Sequence, residues 1–182
     1  MAFAGELIAG GCTLLQYRNK SGNVRVMLEQ ARELKRRVGR TTMLIMNDRA
    51  DLCLVAGFDG VHGGQDDLSP ESVRGIIGPD RWLGVSTHNP EQVREANRTS
   101  ADYLAIGPVF STSSKQRPDP VVGLEGLRRM RQLTRKPLVA IGGITRRNAA
   151  SVIEAGADSV AVISDLSRDP RKSAEEFFRV LR

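Results

Sequence analysis

Residues 43–68 read MLIMNDRADLCLVAGFDGVHGGQDDL. Two apolar runs, Met43–Met46 and Gly60–His62, bracket a short helical stretch, Ala50–Ala56, and each run stops at acid: Asn47-Asp48 after the first, Asp66-Asp67 after the second. The pattern predicts strand, helix, strand. If the two strands are parallel neighbours, their acids converge at one end of a sheet. Two carboxylates so placed suit a hard divalent ion, most naturally Mg²⁺ beside a phosphorylated molecule. Aspartates also serve as helix caps and solvated turn residues, and this stretch by itself leaves both readings open.

The same alternation runs outward in both directions. Ala2–Ala9 reads as the end of a helix closed by Gly10-Gly11, and Thr13–Tyr17 as a strand. Val24–Val38 carries Met27, Ala31, Leu34 and Val38 on one stripe, which predicts a helix with a single buried face. Ser69-Pro70-Glu71 and Asn89-Pro90-Glu91 are helix starts: a capping side chain, proline at the first helical position, acid in the first turn. Further strands are expected at Trp82–Val85, Asp102–Ile106, Leu138–Ile141 and Ser159–Ile163. Helices are expected at Leu124–Thr134, after a Thr145 cap, and at Ala174–Leu181. A weak repeat links Ala56-Gly57-Phe58-Asp59-Gly60-Val61 to Ala155-Gly156-Ala157-Asp158-Ser159-Val160, with Ser100-Ala101-Asp102-Tyr103-Leu104 as a looser copy. Repeated βα units with strands apolar on both faces argue for a parallel sheet covered by helices. About seven such units in one domain, 1–182, suggest a (β/α) barrel, with an open doubly wound sheet as the alternative.

Composition narrows the partners. The chain has 182 residues and a formal charge of +6, but aromatics make up only 4 % and the basic residues form no single block. This disfavours nucleic acid and favours small phosphorylated molecules. Most cations, Arg128, Arg129 and Arg131 among them, are expected on solvated helix faces. Cys12 and Cys53 sit among apolar neighbours without metal spacing, as buried thiols in a reducing cytoplasm would. No apolar run approaches membrane-spanning length, and the residues MAFAGELIAG, with an acid and no basic start, are not expected to be a signal peptide. A homo-oligomer is compatible with the composition.

In either architecture chemistry collects at the carboxyl ends of the strands. The residues expected there are Gln16, Arg18 and Lys20; Asn47 and Asp48; Gln65, Asp66 and Asp67; Ser86, Thr87 and His88; Thr112, Ser114 and Lys115 in the long 107–123 loop; then Gly142-Gly143 and Ser164. Hydrogen-bond donors, cations and two acids are what a bound pyrophosphate needs. His62 and His88 are read as structural, His62 as partly buried packing.

The motifs Gln16-Tyr17-Arg18-Asn19-Lys20, Asn47-Asp48-Arg49, Gly60-Val61-His62 through Gly64-Gln65-Asp66-Asp67-Leu68, Leu83-Gly84-Val85-Ser86, Gly107-Pro108-Val109-Phe110, Thr112-Ser113-Ser114-Lys115, Ala140-Ile141-Gly142-Gly143-Ile144 and Val162-Ile163-Ser164 occur in one order. Together they resemble the thiamin phosphate synthase family, transferases with a TIM (β/α)8-type barrel. The resemblance implies coupling of a pyrimidine pyrophosphate to a thiazole phosphate. It implies Mg²⁺ at Asp48 and Asp67, and the pyrophosphate on Arg18, Lys20, Asn47 and Lys115. Gln16, Ser86, Thr112 and Ser114 would complete the pyrimidine and phosphate contacts, and Gly143, Ile163 and Ser164 would hold the thiazole phosphate. Arg18, Lys20, Ser86 and Lys115 would be the catalytic group. Against the family pattern the chain is expected to lack the first barrel strand and most of the first helix. Gly63 and Asn19 also depart from the usual motif residues. Two other readings stay open: a thiazole tautomerase-like barrel, which would have no pyrophosphate to expel, and an inactive ligand-binding remnant.

Overall fold

A computed structural model describes residues 2–112 and 119–181. Helix α1 (Ala2–Ala9) leads into β1 (Leu14–Tyr17), α2 (Val24–Val38), β2 (Met43–Asn47), α3 (Ala50–Ala56), β3 (Gly60–Gly63), α4 (Pro70–Ile77) and β4 (Trp82–Thr87). Then follow α5 (Pro90–Asn97), β5 (Tyr103–Ile106), α6 (Gly123–Arg131), β6 (Leu138–Ile141), α7 (Ala149–Glu154), β7 (Ser159–Ala161) and α8 (Pro170–Val180). The strands lie in chain order, each parallel to the next, in one curled seven-stranded sheet. No strand order reverses, so the doubly wound alternative falls away. Among the described residues β1 pairs only with β2 and β7 only with β6.

Local chemistry explains most boundaries. Ser69 and Asn89 accept the backbone N–H groups of Ser72 and Gln92, and both helices begin with proline. Gly57 closes α3 at φ 70°, a left-handed conformation that glycine adopts without a Cβ penalty. Strand and helix ends shift by one to three residues from the sequence reading, β7 ending at Ala161 and α6 at Arg131, and two helix starts depart further. Thr145 does not cap α7; the chain turns once more and the helix starts at Ala149, with the Asn148 side chain reaching back to the Thr145 N–H. Helix α8 starts at Pro170 rather than Ala174, capped by Asp169, which accepts the Lys172 N–H. Asp169-Pro170 repeats the cap-proline signal of the two earlier helices.

Side chains alternate across the strands. Leu44, Met46, Val61 and Leu83 face outward into a core with α2, α3 and α4. Leu104, Ile106, Leu138 and Ala140 do the same in a second core with the later helices. Full burial of such a side chain is worth roughly 1.5–3 kcal/mol, so this outer layer carries the fold. The opposite, inner face is different. Register sets Asn47, His62, Gly84 and Tyr103 abreast on β2 to β5, a polar row inside the curl.

The amino-terminal ends of the strands are held by one device used three times. Asp59, Asp102 and Asp158, each just before a strand, accept the N–H of the first residues of the preceding strand: Leu44, Leu83 and Leu138, at 2.8, 2.7 and 2.8 Å. A cation from the helix before that strand completes each clamp: Lys35 at 2.9 Å, Arg74 at 2.7 Å and Arg131 at 2.8 Å. The sequence repeat is therefore a clamp that recurs every second strand. Arg131 is not the solvated helix residue its position suggested: it also donates to the carbonyls of Thr134 and Lys136.

Candidate active site

The carboxyl ends of β2 and β3 bring the two expected acids together. Asn47 ends β2 opposite His62, and the Asp48 N–H donates to the His62 carbonyl at 2.8 Å. That bond turns the chain sharply. Asp48 sits at φ 62°, the one non-glycine residue with positive φ among the described residues. Strain of this kind gathers at functional sites, where the surrounding structure enforces it. Asp67 folds back over the loop after β3, where its Oδ2 accepts the Gly64 N–H at 2.7 Å. Its carboxyl neighbours that of Asp48 closely enough for the two to affect each other's charge. Burial, chiefly, and the neighbouring Asp48 raise its pKa above the usual carboxylate value. Lys20, from the loop after β1, crosses to bond Asp48 Oδ2.

Two carboxylates pressed together with a single ammonium partner suit a further cation, and this pair fits Mg²⁺. Mg²⁺ takes one or two protein carboxylates and completes its shell with water and substrate phosphate oxygens. Among the described residues no group of three or more His, Cys, Asp or Glu side chains gathers at this rim or elsewhere, so water and phosphate oxygens would have to complete the shell here.

The remaining expected residues fall into three groups. Arg18, exposed directly after β1, makes no ion pair among the described residues, and Gln16 shares the inner face with Ile45 and Gly60. Ser86, near the end of β4, is fixed from two sides: its Oγ meets His62 Nε2 at 2.9 Å and its carbonyl accepts the Gln65 side chain. Gly143, Ile163 and Ser164 follow β6 and β7, four strands further round. Gly142 and Gly143 both take positive φ, 96° and 64°, and an added Cβ at either would strike the 108–111 backbone. Ile163 and Ser164 are exposed, and Ser164 opens a short 3₁₀ turn, Ser164–Leu166. Thr112 lies within the long 107–123 loop, while Ser114 and Lys115 lie outside the described residues.

The two histidines separate. His88 behaves as read from the sequence: its ring holds the Gly107 carbonyl and lies 3.5 Å from Asp119, tying the flanks of the loop to β4. His62 does more than pack. It is 8 % exposed and bonds at both nitrogens. Its alternation in β3 marks the inner face, one residue before the strand ends, but not the partners it meets there.

A concavity of about 690 Å³ opens at the other end of the strands, beside Thr42, Asp59 and Trp82. Asp59 there is committed to a clamp, and Asp80, Arg40 and Arg81 also line the hollow, away from the acids at the carboxyl rim.

The family model described as thiamine monophosphate synthase matches residues 1–166. A thiamine-phosphate synthase from Koribacter versatilis is 63 % identical over 98 % of this chain and 85 % of its own length. One from Chloroflexus aurantiacus is 48 % identical over 86 % of this chain and 73 % of its own. The solved thiamine phosphate pyrophosphorylase from Pyrococcus furiosus superposes with a TM-score of 0.87 at 36 % identity, covering 99 % of this chain and 88 % of that one. With its motifs in order, its acids paired on one rim and relatives matched over nearly its whole length, the chain belongs to the thiamine monophosphate synthase family.

Proposed function

We propose that this rim joins 4-amino-2-methyl-5-hydroxymethylpyrimidine pyrophosphate to 4-methyl-5-(2-phosphooxyethyl)thiazole, releasing pyrophosphate and giving thiamin phosphate. The observation that carries the site assignment is the Lys20–Asp48–Asp67 cluster, where two acids from adjacent strands meet a cation from a third. Asp48 and Asp67 would hold Mg²⁺, which when bound neutralises charge on the departing pyrophosphate. Lys20 bonds Asp48, Asn47 precedes Asp48 at the end of β2 and Arg18 follows the neighbouring β1, which supports assigning them to the diphosphate; Lys115 is assigned with them by its motif position. They bind and orient the diphosphate, and their charge favours the transition state over the ground state as the C–O bond breaks. The electron-rich aminopyrimidine stabilises the resulting carbocation, so no enzymic nucleophile is required. Gln16, Ser86, Thr112 and Ser114 align the pyrimidine. Gly143, Ile163 and Ser164 hold the thiazole phosphate, whose ring nitrogen attacks the cation while the protein keeps water away.

The two open edges, β1 and β7, support reading the sheet as an eight-stranded barrel short of one strand. No helix among the described residues is long and apolar enough to cross a membrane. Purified protein supplied with both substrates and Mg²⁺ is expected to release pyrophosphate and form thiamin phosphate, and to stop on addition of EDTA. Turnover unaffected by EDTA would remove the metal from the mechanism. Absence of turnover with both substrates and Mg²⁺ would remove the coupling reaction.

A further inference from the structure

Three inner-face positions abreast, His62, Gly84 and Tyr103, build a connected device beneath Ser86. Gly84 stands between the other two in register, and an added Cβ there would overlap both the Tyr103 ring and His62 Nδ1. The missing side chain lets histidine and tyrosine meet across β4, with ring centroids 5.5 Å apart and Tyr103 Oη 3.0 Å from His62 Nδ1. From its other nitrogen the same imidazole reaches Ser86 Oγ at 2.9 Å.

Hydrogen-bond accounting gives the chain a direction. A neutral imidazole has one donor nitrogen and one acceptor. If Nδ1 carried the proton, Tyr103 would accept it. The phenol's own proton would then have no acceptor, because Tyr103 Oη meets no other partner among the described residues. An unmet donor in such a place costs about 1–3 kcal/mol. If Tyr103 donates to Nδ1, the phenol and ring protons are both used: Nε2–H donates to Ser86 Oγ, and the proton left over is the serine's, at the end of β4 where the rim opens. His62 is buried and both ring nitrogens meet uncharged hydroxyls, with no carboxylate bonded to the ring among the described residues, so the accounting for a single ring proton applies.

We infer that His62 is a positioning residue that takes the Tyr103 proton at Nδ1 and donates from Nε2, turning the Ser86 hydroxyl into an outward donor to the substrate above it. This rests on the coupling reaction proposed for the rim, where Ser86 faces the pyrimidine and its leaving group. The serine donates to oxygen that gains negative charge as the bond breaks, so the relay acts on turnover more than on binding.

The first test is made without substrates. ¹⁵N NMR of the folded protein, with its two histidines, is expected to show the Nε2–H tautomer at His62 and its loss of fixed tautomer in Tyr103→Phe. An Nδ1–H tautomer would overturn the inference, whatever the enzyme's activity. The second is a double-mutant cycle in steady-state assays. His62→Leu and Tyr103→Phe are each expected to lower kcat about five- to tenfold with KM within about twofold, yet to change kcat less than about twofold in a Ser86→Ala background. His62→Gln, which keeps an amide donor toward Ser86, is expected to recover much of the loss. Equal losses in both backgrounds would make His62 packing alone. Tyr103→Phe removes one hydroxyl and carries the same test should His62→Leu fail to fold.

Discussion

The two ends of the sheet use the same side chain for opposite purposes. At the amino-terminal end Asp59, Asp102 and Asp158 each have a backbone N–H and a cation within 3 Å. Those partners come from neighbouring elements, so the acids tie strand to strand and strand to helix. At the carboxyl end Asp48 and Asp67 face each other. One takes a lysine, the other a single N–H, and their mutual repulsion is left standing. A carboxylate whose partners are already supplied by the fold holds the fold together. A carboxylate whose charge is unmet is poised for something that arrives from outside. Partner inventory, rather than residue type, tells the two apart.

The largest expected effect is at the carboxyl end. Asp48→Ala or Asp67→Ala should lower turnover by about a hundredfold or more, because metal stabilisation of a leaving group is worth several kcal/mol. Thermal melting should stay near wild type. Rates within about twofold of wild type would erase the contrast. Asp102→Ala should do the reverse: it leaves the Leu83 N–H without its acceptor and Arg74 with only the carbonyls of Gly78, Arg81 and Ser100, a loss of about 1–3 kcal/mol that urea unfolding would read, with kcat preserved within about twofold. A fall in kcat without a fall in stability would contradict the clamp. Lys20→Met should lower kcat about tenfold with little change in melting, since an exposed ion pair contributes little to stability. The smallest effect is a sign. The raised pKa of Asp67 means that the folded chain binds this proton more readily than the unfolded one. Its ionised form is then a cost, absent below its ordinary pKa and complete above the raised one, so stability falls as pH rises through that interval. Without Mg²⁺ at neutral pH, Asp67→Asn should therefore melt at or above wild type. Only wild type should gain on adding Mg²⁺. A lower melting temperature for Asp67→Asn would place Asp67 with the clamps.

Much of this was legible along the chain. Period and punctuation marked the helices and strands, and Ser69-Pro70 and Asn89-Pro90 showed where two helices begin. The Asp-containing repeat was visible as a pattern. Its use as a clamp was not, because each acid's partners lie at least 15 residues away in sequence. The acids at 48 and 67 could be named as candidates because strand ends concentrate chemistry in parallel sheets. His62 was read as packing because a lone histidine in an apolar strand carries no local sign of what faces it.

The sequence by itself determined the βα rhythm, the two capped helix starts and the strand ends to which the acids belong, since these follow from near-neighbour sterics and from which residues prefer water. Only the tertiary structure decided which aspartates are satisfied and which are not. The same holds for the polar row in which a glycine at 84 lets His62 and Tyr103 touch. Both depend on register between strands, and register is fixed by packing across the sheet rather than by any residue's own preference.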